Sequence, residues 1–235
     1  MRTIALAAGT PERLYALIEG NAAGPTDAVA SLYRRDAGGM WTLAAMSGVA
    51  PLMGGPVLAL AADAVTRDRI YAADGAQFYV STNAGEAFAP IATGTGLFGA
   101  SALANVNGLT ADPADPKHLL LATSDVGLLE TVDQGVSWKR VTDAAAINAV
   151  ALSGARTWVA TRDFGLLAST ANVLARVGLC LIDPSVTAVA TLADASEVVI
   201  AGTTGNAYVS VNGGKTFGPS SGLDELLGRV VSARD

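Results

Sequence analysis

One pattern of residues recurs along the chain. Each copy has three short apolar runs separated by turn residues, and each ends in a compact polar segment. The copies follow one another about every 40 to 50 residues, so one small structural unit is built repeatedly. The first copy spans Thr3–Trp41 with an insertion at Gly20–Ala28, and the later copies begin at Val57, Val106, Ile147 and Val186.

The apolar runs have the character of β-strands. They are short, rich in small or β-branched residues and bounded by turn residues, and no segment has a helical stripe with caps. The first run of each copy is almost continuously apolar, which is typical of a strand buried on both faces. Repeats of this length predict an all-β chain, a β-propeller of about five four-stranded blades with that run innermost.

The predicted blade boundaries leave one strand over. The blades are expected at residues 1–45, 46–92, 93–142, 143–178 and 179–222, and residues 228–233 resemble a further innermost strand. An unpaired strand edge is normally covered, paired or blunted. Two expectations therefore stay open. Either the chain is an incomplete ring, a piece of a six- or seven-bladed propeller, or its open ends are covered by another chain or a second copy.

The composition excludes several classes of function. With 235 residues, 51% of them hydrophobic, the chain can bury a sizeable core, which excludes disorder. The net charge is −6, from 15 basic and 21 acidic residues, so nucleic-acid binding is not expected. The single Cys180 and single His118 exclude an internal disulfide, a His/Cys zinc site and a histidine-based triad. Cys180 is interpreted as a small core residue, and His118 as structural or solvent-facing. No metal or cofactor is predicted.

Neither a membrane span nor a signal peptide is predicted. Met40–Ala62 lacks charged residues and has the length of a bilayer span, but its glycines and prolines would leave backbone groups unsatisfied in lipid. This segment is therefore interpreted as strand, loop and strand. The apolar run after Arg2 is very short for a signal peptide and is interpreted as the first strand, which leaves the compartment open.

The polar segment that closes each unit contains the most specific motif. Residues 131–138 have the form Ser/Thr-x-Asp-x-Gly-x-x-Trp. Residues 81–88 and 210–217 repeat it with Asn and Phe, residues 34–41 lack the first hydroxyl, and residues 169–176 are eroded. A short Asp or Asn side chain accepts hydrogen bonds within its own turn, and Gly permits a positive φ. A tight hairpin with an aromatic residue packed between units is predicted.

This motif resembles the Asp-box, or bacterial neuraminidase repeat, of sialidase-like and sortilin-like β-propellers. The resemblance implies that the motif lies on the outer hairpin of each blade, away from the face that binds ligands. It therefore implies a structural role for Asp36, Trp41, Asn83, Phe88, Asp133, Trp138, Asn212 and Phe217. The alternative is that the carboxylates among them bind calcium or act in catalysis. The four aromatic residues among them are expected to be buried at seams between blades.

The sialidase activity of that family is not expected. Its members have an Arg-Ile-Pro segment and an arginine triad, and no Arg-Ile-Pro occurs in this sequence. Arg13, Arg69 and Arg156 fall in turns between first and second strands, on the face opposite the expected ligand side. No catalytic residue is therefore assigned. The alternative is a propeller-type glycoside hydrolase or lyase that takes an acidic pair from Asp74, Asp125 and Asp163.

The turns between second and third strands form the candidate ligand face. Aligning the units brings acidic and polar residues to equivalent or neighbouring positions, and these candidate ligand residues are Glu19, Asp74, Asp125, Arg162, Asp163 and Asn206. Ordinary Asp-Gly turn chemistry is the alternative explanation. The apolar connections at residues 47–55, 93–104 and 219–227 are long enough to cap this face or meet a partner. The predicted function is a non-catalytic binding or assembly module for a protein or glycan, with a protein partner or a homo-oligomer.

Overall fold

The computed structural model describes residues 3–7, 13–21, 28–44, 59–63, 65–73, 77–91, 106–142, 146–154, 156–170, 173–178, 185–192, 195–204 and 206–220. All the elements of regular secondary structure in these residues are β-strands. The described residues contain no helix long and apolar enough to cross a membrane. The strands form five four-stranded antiparallel sheets, and the order within each sheet follows the chain. The prediction of an all-β chain with five four-stranded propeller blades is confirmed.

The blades follow one another along the chain. Blade 1 contains β1 (Thr3–Ala7), β2 (Arg13–Asn21), β3 (Ala28–Asp36) and β4 (Thr42–Leu43). Blade 2 contains β5 (Ala59–Ala62), β6 (Ile70–Ala73), β7 (Phe78–Ser81) and β8 (Ala89–Pro90). Blade 3 contains β9 (Val106–Ala111), β10 (Leu119–Thr123), β11 (Leu128–Thr131) and β12 (Lys139–Thr142). Blade 4 contains β13 (Ile147–Ser153), β14 (Arg156–Thr161), β15 (Leu166–Thr170) and β16 (Val173–Val177). Blade 5 contains β17 (Val186–Leu192), β18 (Ala195–Thr203), β19 (Ala207–Ser210) and β20 (Gly218–Pro219).

The chain divides into two compact units. Unit 1 is Met1–Ile147 and unit 2 is Asn148–Asp235. Blades 1 to 3 belong to unit 1, and blade 5 with nearly all of blade 4 belongs to unit 2. The predicted extra strand at residues 228–233 lies outside the described residues, so it stays a prediction.

The second strands of blades 2 and 3 are buried along their whole length. All residues of β6 and β10 are buried, whereas β9 and β13 are only partly buried along their length. The expectation that the first strand is buried on both faces thus holds along β5, whose four residues are all buried, but only for part of β9 and β13. An inner strand is paired with another strand on one side only, whereas a second strand is paired on both sides.

The hydrophobic cores lie between successive blades of one unit. In unit 1, Tyr15 and Leu32 of blade 1 share a buried cluster with Ile70 of blade 2, and Phe78 of blade 2 shares another with Leu121 of blade 3. In unit 2, a third cluster joins blades 4 and 5. Sheets packed face to face thus bury the apolar residues that alternate along their strands.

The predicted burial of the four motif aromatics holds only in part. Phe88 is buried, and Trp138 and Phe217 are partly buried against the clusters between blades. Trp138 packs edge-on against Phe78, with ring centroids 5.2 Å apart. Trp41 differs, since 43% of it is exposed. The other three aromatics pack with the preceding blade.

Candidate functional site

A threonine closes the turns between second and third strands in blades 3 and 4. The Thr123 hydroxyl donates to the Gly127 carbonyl at 2.8 Å and accepts from the Val126 amide at 3.0 Å. The Thr161 hydroxyl donates to the Gly165 carbonyl at 2.7 Å and accepts from the Phe164 amide at 3.0 Å. Both threonines are fully buried, so each turn is anchored to the blade core.

Because a threonine hydroxyl closes each turn, the aspartate side chains of these turns are available to bind a ligand. Asp125 and Asp163 are exposed, and within the described residues neither carboxylate has a hydrogen-bond partner. The alternative that these aspartates only stabilise their own turns is therefore not supported. The sequence interpretation missed Thr123 and Thr161, although their shared Thr-x-Asp-x-Gly spacing was the available signal.

The turn of blade 4 presents three different chemical groups side by side. Arg162, Asp163 and Phe164 are all exposed, and Phe164 has 55% of its surface accessible. A cation, an anion and an aromatic ring thus lie at the end of a turn that is fixed at both of its ends. Phe164 is a candidate binding residue that the sequence interpretation did not select.

The turn of blade 3 is braced from a second direction. Asn107 of β9 donates to the Ser124 hydroxyl at 2.6 Å and to the Ile147 carbonyl at 2.7 Å. The Ala146 amide donates to the Ser124 carbonyl at 2.8 Å. These bonds hold Asp125 on a rigid turn. Asn148 makes a related bond in unit 2, donating to the Val186 carbonyl at 2.8 Å.

The remaining candidate ligand residues have different locations. Glu19 does not lie in a turn, because it belongs to β2 and pairs with Ala30 of β3 in a ladder that extends to Asn21. Asn206 is exposed beside its turn, and its carbonyl accepts from the Thr203 amide at 2.8 Å. Asp74 lies outside the described residues, as do the three connections apart from Pro219 and Ser220. Asp125 belongs to unit 1 and Asp163 to unit 2, so a ring of acidic turns stays a prediction.

Three of the polar hairpins share one hydrogen-bond pattern. The hydroxyls of Ser81, Thr131 and Ser210 donate to the Oδ1 atoms of Asn83, Asp133 and Asn212 at 2.9, 2.6 and 3.0 Å. Each hydroxyl also accepts from the motif glycine amide, at 2.9, 3.0 and 2.8 Å. Each Oδ1 accepts a further amide, that of Ala87, Ser137 or Thr216. The Asp or Asn residues of these hairpins thus hold their own turns together.

Asp36, expected to act in the same way, has other partners. Its Oδ1 accepts from Arg13 Nε at 2.7 Å and from Arg67 Nη2 at 2.6 Å, and Arg13 also pairs with Asp68. The hydrogen bond from Arg13 lowers the pKa of the Asp36 carboxyl. Residue 34, where the other hairpins have a hydroxyl, is an arginine. The acid of blade 1 therefore joins blades 1 and 2 through ion pairs.

The three arginines considered for a substrate triad make local contacts. Arg69 Nη1 lies 3.3 Å from Asp63 Oδ2, and the guanidinium of Arg156 lies 5.4 Å from the centre of the Trp158 ring. Arg156 also donates to the Gly213 carbonyl at 2.8 Å. With Arg13 bound to Asp36, each of the three stabilises its own unit.

His118 is held between two carboxylates. Its Nδ1 lies 2.7 Å from Asp112 Oδ2 and its Nε2 lies 2.9 Å from Glu130 Oε1, while Lys139 pairs with the other oxygen of Glu130. Both ring nitrogens are thus occupied by carboxylates of the same blade. Cys180 lies outside the described residues. Within the described part of the chain, no group of three or more His, Cys, Asp and Glu residues could hold a metal ion.

No model of a known protein family matches the sequence. No curated protein matches it either. Solved structures of low sequence identity nevertheless have the same fold. One is the GH74 enzyme of Niastella koreensis, with a TM-score of 0.71 and 14% identity over 93% of this chain and 38% of that chain.

Two further similar structures are propellers of different kinds. One is YCF48 bound to D1 peptide, with a TM-score of 0.59 and 13% identity over 92% of this chain and 65% of that chain. The other is the WD40 β-propeller domain of Doa1, with a TM-score of 0.59 and 12% identity over 89% of this chain and 65% of that chain. The chain therefore spans less than two thirds of each, and these identities indicate a shared fold alone.

Proposed function

We propose that this chain is a non-catalytic binding module that holds an exposed segment of a protein partner on the turn between the second and third strands of blade 4. The observation that carries the proposal is the exposed trio Arg162, Asp163 and Phe164 on a turn closed by the buried Thr161 hydroxyl. Aromatic residues and arginine are enriched in protein interfaces because they supply large contact areas and several hydrogen-bond donors. A rigid turn loses little conformational entropy when it binds.

The trio suits a peptide better than it suits catalysis. A peptide backbone supplies carbonyl acceptors for the arginine and amide donors for the aspartate, and apolar side chains can pack on the ring of Phe164. One structure of the same fold is consistent with this use, since YCF48 is bound to a peptide.

The second candidate is a propeller-type glycoside hydrolase with an acidic pair from Asp74, Asp125 and Asp163. The observation in its favour is the similarity in fold to GH74 enzymes. Such an enzyme needs a carboxylic acid whose pKa is raised by apolar surroundings. Asp125 and Asp163 are exposed. Because these two carboxylates are exposed to solvent and not buried in apolar surroundings, we favour a binding function over hydrolysis.

We further propose that the three matching hairpins are Asp-boxes and that the blades have the predicted boundaries. The support is the repeated bonding of hydroxyl, Asp or Asn, and glycine at residues 81–85, 131–135 and 210–214. The residues of blade 1 that were aligned with the motif, Asp36 and Trp41, have a different role.

Peptide selection tests the binding proposal. Linear peptides are selected from a random phage-displayed library on the wild-type chain, and their affinities are measured by biolayer interferometry. The double variant R162A/F164A is expected to lose at least about tenfold in affinity, which is typical of losing one or two interface anchors. The control is V211A/K215A, which removes an exposed apolar and an exposed basic residue from the blade 5 hairpin and should bind normally.

Two outcomes would contradict the proposal. One is equal binding by the wild type and R162A/F164A. The other is hydrolysis of a glycan panel by the wild type that is lost in D125N or D163N, which would favour the hydrolase.

A further inference from the structure

The outer strand of each blade has a free edge. Among the described residues, no further strand pairs with β4, β8, β12, β16 or β20 on that side. Four of these edges have features that oppose pairing with another chain. Strands β4, β8 and β20 are two residues long, and the latter two end in Pro90 and Pro219. Strand β12 carries the exposed charges of Lys139 and Arg140. Short strands, prolines and basic residues are the usual protection of a sheet edge.

Strand β16 lacks this protection. It has five residues, Val-Leu-Ala-Arg-Val, with no proline and a single charge. Val173 is 65% exposed, and Ala175 is exposed as well. Arg176 is exposed as well, but its guanidinium lies beside Gly165 of its own blade, since a Cβ built on Gly165 would be 3.3 Å from Arg176 Nε. The edge thus presents backbone donors and acceptors beside mostly apolar side chains.

We propose that β16 is a dimerisation edge, which pairs antiparallel with β16 of a second copy about a two-fold axis at Ala175. This register places Val173 opposite Val177 of the second copy and Ala175 opposite its own counterpart. Leu174 then lies opposite Arg176 of the second copy. The two blades would join into one eight-stranded antiparallel sheet.

A second copy of this chain is the expected partner, because β16 is complementary to itself when two copies pair antiparallel. Residues at alternate positions share a face of a strand, so Val173, Ala175 and Val177 form an apolar stripe that continues into the second copy. On the other face each arginine lies opposite a leucine, so like charges do not face each other. Only the register centred on Ala175 pairs all five residues. A shift of two residues in one direction would place Arg176 opposite its own counterpart.

The size of the contact sets its strength. Five paired residues bury less area than a standard interface, and contacts of that size are weak and transient. The dimer should therefore depend on protein concentration. This inference goes beyond the proposed function, since it concerns the backbone edge of β16 and not the side chains of Arg162 and Phe164, and either proposal can fail alone.

Sedimentation equilibrium between about 1 µM and about 1 mM, the range in which weak complexes dissociate, tests the inference. The wild type should shift from monomer to dimer. A175E should stay monomeric, because two glutamates would face each other across the axis. The matched control is V141E, which adds the same charge at an exposed position of β12 and should dimerise like the wild type.

Charge pairing tests the register. A175E and A175K should each be monomeric, and an equimolar mixture should recover a dimer through a Glu–Lys pair at the axis. Hydrogen exchange of wild-type residues 173–177 should slow as concentration rises, a readout that requires no variant. A wild type that is monomeric at about 1 mM, a dimer that survives A175E, or a mixture that does not recover would each overturn the inference. If the wild type stays monomeric and an added extended peptide slows hydrogen exchange of β16, the partner of this edge is a peptide and not a second copy.

Discussion

The glycine of each matching hairpin makes a contact with the preceding blade. A Cβ built on Gly135 would lie 2.3 Å from the Phe78 ring, and one on Gly214 would lie 2.6 Å from the Trp158 ring. A Cβ on Gly85 would lie 2.7 Å from Leu32. All three glycines also have positive φ. They are needed both for the turn and for close packing between blades.

Replacing Gly135 by alanine should therefore lower the free energy of unfolding by about 2 to 5 kcal/mol, from left-handed strain and from overpacking against Phe78. Gly38→Ala is the control, since Gly38 has a φ of +72° but no atom within 4 Å of a built Cβ. That variant should lose only about 1 to 2 kcal/mol. Urea denaturation measures both. Equal losses would show that packing at the seam is not the constraint.

The Asp133 carboxyl should make stability depend on pH. Hydrogen bonds from Ser137 and Thr131 lower the pKa of Asp133 in the folded state. A carboxyl with a lowered pKa stabilises the fold above its unfolded pKa of about 4, and this contribution is lost as pH falls through the folded value. Asp133→Asn should fold at pH 7, because Asn83 and Asn212 accept the same bonds.

Thermal unfolding from pH 7 down to pH 2 measures this effect. The wild type should lose more stability than Asp133→Asn below about pH 4. The control is Asp133→Ala, which removes the acceptor and should cost about 1 to 3 kcal/mol already at pH 7. Identical acid sensitivity of the wild type and Asp133→Asn would contradict the role of the charge.

At the scale of elements, the turns of blades 3 and 4 depend on one hydroxyl each. Thr161→Val keeps the shape but removes the donor to Gly165 and the acceptor for the Phe164 amide. Its cost should be about 1 to 3 kcal/mol, because the Phe164 amide loses its acceptor and the Gly165 carbonyl keeps only the bond from the Thr161 amide. Amide exchange at residues 162–165 should become faster. Thr161→Ser keeps the hydroxyl and should behave like the wild type, so equally fast exchange in both variants would argue against the hydroxyl.

Across the whole molecule, burial changes in a regular way from one strand to the next. The second strands β6 and β10 are fully buried, and β14 is buried over its last four residues. The outer strands β4 and β8 are exposed, and β12 is exposed over three of its four residues. The stability of each unit is therefore concentrated in the middle of its blades.

Hydrogen exchange should follow this gradient. Amides of β6, β10 and β14 are expected to exchange slowest, and those of β4, β8 and β12 fastest, since exposed edges open locally at low free energy. Mass spectrometry of peptic peptides from dilute protein measures the order in every blade. Uniform exchange across a blade would contradict it.

The sequence by itself determined the strands, their number in each blade and the hairpin motif. The apolar run after Arg2 was expected to be the first strand, and β1 lies there, at Thr3–Ala7. These features depend on neighbours in the chain, because strand pattern, turn residues and the Asp or Asn bonds within a hairpin span only a few residues. The candidate turns holding Asp125 and Asp163 were located for the same reason.

Only the tertiary structure decided which partners the side chains have. Asp36 binds Arg67, 31 residues away, instead of closing its own turn, and Glu19 lies in a ladder because β2 and β3 are long. The close approach of Gly135 to Phe78 joins two blades. Such contacts arise when sheets pack face to face, and the same local motif then has different neighbours in different blades. The residues next to a motif in the chain therefore do not determine which residues of another blade it contacts.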